Sequence, residues 1–233
     1  VFVVECAMDF EYSIEIAPAV IGYIAGGKFD VYYSNITAYT IVLSDGTEIY
    51  HPYLFRAYPK ARFWLMYSSM HHCGGKLEDV DVEGGIEIDS SDVCIEKSLV
   101  SQCRGIFIRA SLPMAASPTI VENIFTHNTY GIVIKPKITI AEQFPINLIS
   151  NVFSYNEIAG LWTDGARLGL EGCVFLNNTG GAIYNNTPVD FPHNVSGRIY
   201  HCKFENNTYA IWAESSNLKL ISTDILNNTH IYL

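Results

Sequence analysis

An all-β parallel solenoid is the fold class this sequence predicts, and three observations predict it. The first is a frame repeated along the chain: an aromatic or aliphatic anchor, two further residues, an Asn, then a small residue and an apolar strand. It reads Phe125-Thr126-His127-Asn128-Thr129, Phe153-Ser154-Tyr155-Asn156, Phe175-Leu176-Asn177-Asn178-Thr179, Phe204-Glu205-Asn206-Asn207-Thr208 and Ile225-Leu226-Asn227-Asn228-Thr229. Leu99-Val100-Ser101-Gln102 is a degenerate copy, so anchors fall at 99, 125, 153, 175, 204 and 225, with spacings of 26, 28, 22, 29 and 21. An irregular period of about 20–30 residues suits stacked coils, because an insertion can leave at a corner without disturbing the stack. The second observation is composition. Tyr 15 and Phe 12 with abundant Ile and Val suit strands, and Gly 17 with 16 Asn suits turns. The third is what is missing: there is no long 3.6-residue apolar period for helical repeats and no L-x-x-L-x-L for leucine-rich ones.

The elements follow in order. Val1–Phe10, Tyr12–Ile16, Phe29–Tyr33, Tyr39–Leu43 and Arg62–Tyr67 read as strands, with Ser44-Asp45-Gly46-Thr47 a turn between two of them. No anchor occurs there, so residues 1–75 are expected to form a β-rich segment or cap, either a small sandwich or an irregular lead-in. Leu77–Ile88 alternates around Gly84-Gly85 and reads as the first coil of a solenoid over 76–233, about six to seven coils. Each anchor is then followed by a small and an apolar residue: Gly105-Ile106, Gly131-Ile132, Gly160-Leu161, Ala182-Ile183 and Ala210-Ile211. In the corner the second Asn of each pair is expected to take the left-handed bend, turn inward and bond the Asn of the next coil, with the Phe filling the core beside it.

On these residues the stretch 94–233 resembles right-handed parallel β-helix repeats, the class that includes pectate lyases and polygalacturonases. The resemblance covers about six coils and implies a fold rather than an activity. Among animal proteins, the style of repeat resembles the large glycosylated ectodomains of the bark beetle (anakonda) and fibrocystin-like families. The chain opens on Val1-Phe2-Val3-Val4 and closes on Ile231-Tyr232-Leu233, both strand-like. It reads as a slice of a longer protein, with the solenoid continuing beyond its C-terminus.

Composition narrows the function. With 49 % hydrophobic and 16 % charged residues, a disordered polar tail is excluded. A net charge of −10 argues against nucleic acid as partner, since phosphate contact needs a basic surface. No apolar run reaches 18 residues, so no membrane-spanning helix is expected. Six N-x-Ser/Thr sequons, at Asn35, Asn177, Asn185, Asn194, Asn206 and Asn227, exceed the two or so expected by chance and favour an extracellular setting. None of the six cysteines forms a CxxC pair. Cys173 and Cys202 each precede an anchor Phe by two residues, so they should be neighbours on adjacent coils, close enough for a disulfide.

Catalytic signals are weak. Polygalacturonases need paired aspartates with His and Arg-x-Lys, and no Asp-Asp, Gly-His-Gly or Arg-Ile-Lys is present. Asp89, Asp92 and Glu96, with Asp164 and Glu171 further on, read as solvated turns and faces. His71-His72-Cys73 does not make a metal site on a strand, where neighbouring residues point to opposite faces. No catalytic residue, metal or cofactor is assigned. The residues after the inward Ile/Leu positions are more informative: Phe107, Val133, Trp162, Tyr184 and Trp212. Alternation turns this column outward, and stacked coils space it at about 4.8 Å. Phe107, Trp162, Tyr184 and Trp212 are the candidate binding residues, for a glycan or a protein at the cell surface. The expectation is a non-catalytic segment of a glycosylated extracellular or cell-surface protein, a rigid scaffold with an adhesion or recognition surface. The alternative is a polysaccharide lyase or glycoside hydrolase of the β-helix class.

Overall fold

The computed structural model describes residues 2–3, 19–24, 28–37, 39–42, 48–51, 53–58, 61–74, 76–77, 80–81, 85–90, 92–109, 118–135, 145–164, 166–186, 195–214 and 216–232. These form strands and turns with no helix. Three parallel sheets of nine, eight and nine strands carry them. Each coil contributes in chain order to the first, second and third sheet. Asp92–Glu96, Leu99–Ser101 and Ile106–Ile108 make one coil; Thr119–Val121, Ile124–Thr126 and Tyr130–Ile134 make the next. Strands pair in register with their counterparts one coil on, as Ile95 with Ile120, Val100 with Phe125 and Ile106 with Ile132, with shifts only at Val20/Gly22 and Tyr209/Trp212 among the described residues. The fold is a parallel β-helix.

The core is a set of columns, each a register position repeated from coil to coil. On the second sheet Phe125, Phe153, Phe175 and Phe204 are fully buried. Their rings stack at 5.0, 4.8 and 4.9 Å with interplanar angles of 15°, 8° and 5°. The column continues through Val100 and Met70 on one side and Ile225 on the other. Its degenerate anchor is therefore Val100, not Leu99. Ile106, Ile132, Leu161, Ile183 and Ile211 face inward on the third sheet, all fully buried. The small residue before each of them has a steric reason. A Cβ on Gly160 would lie 2.9 Å from the carbonyl oxygen of Ala182 and 3.1 Å from both Phe153 Cβ and Phe175 Cδ1.

Two sharp corners flank every second-sheet strand. At the corner after it, His72, Gln102, His127, Tyr155, Asn177, Asn206 and Asn227 hold φ between 53° and 57°. The left-handed residue is thus the first Asn of each pair, and the second turns inward; the expected assignment of both roles to the second is corrected. One residue bends the backbone and the next is then aimed at the core. Asn128, Asn156, Asn178, Asn207 and Asn228 form a continuous ladder. Each Oδ1 accepts the backbone N–H of the residue one coil back, as Asn156 N to Asn178 Oδ1 at 3.1 Å and Asn178 N to Asn207 Oδ1 at 2.9 Å. Each Nδ2 donates to a buried carbonyl, as Asn178 to Phe153 O at 3.0 Å. The left-handed bend costs roughly 1–2 kcal/mol per residue, and the ladder offsets it by satisfying peptide groups that no water reaches.

The corner before the second-sheet strand repeats the device five residues upstream. Tyr33, Tyr67, Lys97, Glu122, Ser150, His201 and Ser222, with Gly172, take the positive φ there. The inward positions are Ser34, Ser68, Ser98, Asn123, Asn151, Cys173, Cys202 and Thr223. Asn123 Oδ1 accepts from Ser98 N–H at 2.9 Å while its Nδ2 donates to Ile95 O at 2.7 Å.

The parallel stack extends to the N-terminal side of residue 76. Lys28–Tyr32 and Arg62–Met66 pair in parallel within the first sheet, and Arg62–Met66 pairs onward with Asp92–Glu96. Residue 75/76 falls inside a coil whose second-sheet strand is Ser69–His71 and whose third-sheet strand is Ile86–Ile88. Two antiparallel hairpins are inserted here, Tyr39–Val42 with Glu48–His51 and Lys76–Leu77 with Val80–Asp81. Leu77–Ile88, expected as the first coil, instead holds part of an inserted hairpin, Leu77 and Val80–Asp81, and the third-sheet strand Ile86–Ile88 of a coil that begins upstream. The 44–47 turn and nearly all of 1–16 lie outside the described residues.

Candidate functional site

The outer face of the third sheet carries the outward column. Register aligns Arg56, Glu87, Phe107, Val133, Trp162, Tyr184 and Trp212, with Tyr232 opposite Trp212 on the last coil. Its N-terminal end is ionic. Glu87, 6 % exposed, accepts from Arg56 Nε at 2.7 Å and lies 3.5 Å from Arg109. From Phe107 onward it is aromatic, interrupted by buried Val133. Phe107, Trp162 and Trp212 are half-buried rather than open. Tyr184 holds the register position between Trp162 and Trp212; its side chain lies outside the described set.

Sequence reasoning missed a second row. Tyr130 meets Phe107 edge-on at 5.9 Å and Trp162 at 6.1 Å, and Tyr209 meets Trp212 at 5.1 Å and His230 at 5.2 Å. The signal was the residue after the ladder Asn and its Thr, in Asn128-Thr129-Tyr130, Asn207-Thr208-Tyr209 and Asn228-Thr229-His230. Trp212 stacks on Tyr232 at 4.9 Å. Lys135 sits 5.4 Å over the Trp162 ring and 3.1 Å from Asp164. The result is an aromatic strip edged by paired charges, a surface that can stack on sugar rings or bury a partner's apolar side chains.

The carboxylates do not converge there. Asp164 pairs with Lys135, Glu96 lies 3.3 Å from Lys97, Asp92 accepts from Trp64 Nε1 at 3.0 Å, and Glu171 is exposed on the first sheet. Asp89 donates its backbone N–H to Ala57 O. Among the described residues no three His, Cys, Asp or Glu gather for a metal. His71 Nδ1 bonds Ser101 Oγ at 2.6 Å and His72 occupies the left-handed corner, both with pKa lowered by burial. His201 takes the other corner and stacks on Tyr200.

Cys173 and Cys202 are neighbours on adjacent coils, in the inward positions of the first corner. The candidate disulfide between them is not formed: the described cysteines are free thiols. Residues repeated in parallel register leave the backbone in the same direction, which opposes the roughly 90° torsion a disulfide needs. The pair instead shares a thiol–thiol hydrogen bond, and Cys173 Sγ also bonds Leu148 O at 3.3 Å. The bond to Cys202, together with burial, raises the Cys173 pKa. Cys73 N–H donates to Cys103 Sγ at 3.3 Å in the other ladder, and burial pushes the Cys103 thiol up to about 12. Alkylation of unfolded protein is expected to label these four cysteines equally with and without prior reduction. Extra labelling after reduction would contradict the free-thiol assignment.

Asn177, Asn206 and Asn227 occupy equivalent outward corners of three successive coils, φ 53°, 56° and 53°. Asn35 is exposed on the second sheet and accepts from Ser69 Oγ at 2.6 Å. Asn185 holds the register position between Thr163 and Ala213, both buried, and Asn194 lies outside the described residues. A branched glycan is far wider than the ~4.8 Å between coils. Intact-glycopeptide mass spectrometry of secreted material should find Asn35 modified and no molecule carrying glycans at Asn177, Asn206 and Asn227 together. Near-complete occupancy of all three would contradict the crowding argument.

No protein-family model, no curated protein and no solved structure matches this chain. Among the described residues, no helix is long and apolar enough to cross a membrane.

Proposed function

We propose that this chain is a non-catalytic segment of a glycosylated extracellular or cell-surface protein, a rigid scaffold whose third-sheet face recognises a protein or glycan. The observation that carries the reading is the aromatic strip of Phe107, Trp162 and Trp212, flanked by Tyr130, Tyr209 and Tyr232. Half-exposed tryptophan and tyrosine in one row are what recognition surfaces concentrate. The sequons support the extracellular setting, as does the likeness of the repeats to those of the bark beetle and fibrocystin-like ectodomains. A β-helix lyase or hydrolase needs carboxylates facing one groove, whereas those here are spread over all three sheets and several are paired with neighbouring groups.

The test is titration of fluorescent, secreted chain onto intact animal cells. The double variant Trp162→Ala/Trp212→Ala should bind at least about ten-fold more weakly, the loss of a hot spot. Its unfolding midpoint must be measured alongside. Undiminished binding by a folded variant would overturn the reading, as would no binding by the native chain.

A further inference from the structure

The first sheet has its own outer face, and one region of it differs from the rest. Thr119, Asn147, Gly169, Arg198 and Lys219 share an outward register column over five successive coils. Gly169 places no side chain on that face, and the gap opens a groove of about 550 Å³. Asn147 leans into it, so a Cβ on Gly169 would collide with Asn147 Oδ1. The groove is lined by Arg167, Arg198 and Lys219, with the amides of Asn147 and Asn217 between them. All five of these side chains are exposed.

The charge here runs against the molecule. The chain carries −10, yet none of these three cations pairs with a described carboxylate, whereas Arg56, Arg62, Lys97, Arg109, Lys135 and Lys203 all do. Glu171 is the one carboxylate lining the adjoining groove, beside Tyr200, and it forms no ion pair with Arg198. Arg198 and Lys219 share a column, and Arg167 lies one coil back and two residues along its strand from that column, so the three form a staggered set extending about 10 Å along the solenoid axis. Guanidinium forks match oxyanions in bidentate geometry, and an ammonium adds a point charge.

We propose that this groove binds a linear sulfated polysaccharide laid along the axis, with sulfate groups on Arg167, Arg198 and Lys219. Three cations staggered over successive coils fit a ligand that repeats its anions along a chain better than a single small anion. A narrow chain can stay on the strip. A nucleic-acid duplex, much wider, would press phosphates onto Glu171 in the adjoining groove. The site is independent of the aromatic strip, which faces outward from a different sheet.

The experiment titrates the native chain with heparin, chemically desulfated heparin, polygalacturonate and duplex DNA, at several salt concentrations. Heparin should bind and the other three should bind at least ten-fold more weakly. Arg167→Gln/Arg198→Gln/Lys219→Gln should lose at least ten-fold in heparin affinity and show a shallower salt dependence, as expected when ionic contacts are removed. Lys97→Gln/Lys203→Gln, which removes cations already paired with carboxylates, should bind like the native chain. Unfolding midpoints of both variants establish that they fold. No heparin binding, equal binding of DNA or of the carboxylate and desulfated polymers, or equal losses in the two variants would each overturn the proposal.

Discussion

Phe175→Ala should destabilise the solenoid by about 3–5 kcal/mol, the usual cost of truncating a large buried aromatic. Phe175 is fully buried and stacks on two rings, Phe153 at 4.8 Å and Phe204 at 4.9 Å. Truncation removes both contacts and leaves a hole that the neighbours cannot close, since each is held in register by its own strand. Phe175→Leu should cost clearly less, because aliphatic residues already occupy this column at Val100, Met70 and Ile225. Denaturant unfolding of the three proteins measures the difference. A midpoint unchanged in Phe175→Ala would show that the ring is not in the core.

Asn178→Leu should be of comparable size, about 4 kcal/mol, although it replaces a polar group by an apolar one of the same branched skeleton. Asn178 is fully buried. Its Oδ1 accepts from Asn156 N–H at 3.1 Å and Asn156 Nδ2 at 2.9 Å, and its Nδ2 donates to Phe153 O at 3.0 Å and Asn207 Oδ1 at 2.8 Å. Leucine leaves the Asn156 N–H and the Phe153 carbonyl unsatisfied away from water, each worth roughly 1–3 kcal/mol. Asn178→Ser should be milder, since Ser68 and Ser98 hold the corresponding position in the other corner, with Ser98 Oγ accepting Ser68 N–H at 3.2 Å. Equal stability of the leucine variant and the native protein would mean that the ladder contributes nothing.

The Phe column and the Asn ladder could be read from the sequence because one geometric position is filled by one residue type on several coils. The first corner could not. Its inward position is Ser98, Asn123, Asn151, Cys173, Cys202 or Thr223, alike only in being small and polar. The same reason hid the early coils, where Ile36 and Met70 replace Phe and Cys73 replaces Asn. On the outer face, strict alternation identified the Phe107–Trp162–Trp212 column but not Tyr130 and Tyr209. Alternation breaks at the start of the third-sheet strand: Gly131 and Ile132 are both buried, and a Cβ on Gly131 would meet the Phe153 ring. The cationic row had no local signature, because Arg167, Arg198 and Lys219 stand 31 and 21 residues apart and meet only through coil stacking.

The parallel register fixes how such a body yields to force. Every strand lies across the long axis, and the sheet hydrogen bonds run from one coil to the next along it. Tension applied at the two ends of the chain passes through every coil-to-coil interface in series, and the outermost turns, paired on one side only, peel first. The molecule is therefore a spool under tension rather than a rope. The coil-to-coil offsets of 28, 22, 29 and 21 residues, read from Phe125 through Phe153, Phe175 and Phe204 to Ile225, set the slack released at each step. At about 3.4 Å per extended residue, each turn lost pays out roughly 70–100 Å, about 15 to 20 times the ~4.8 Å by which it shortens the stack.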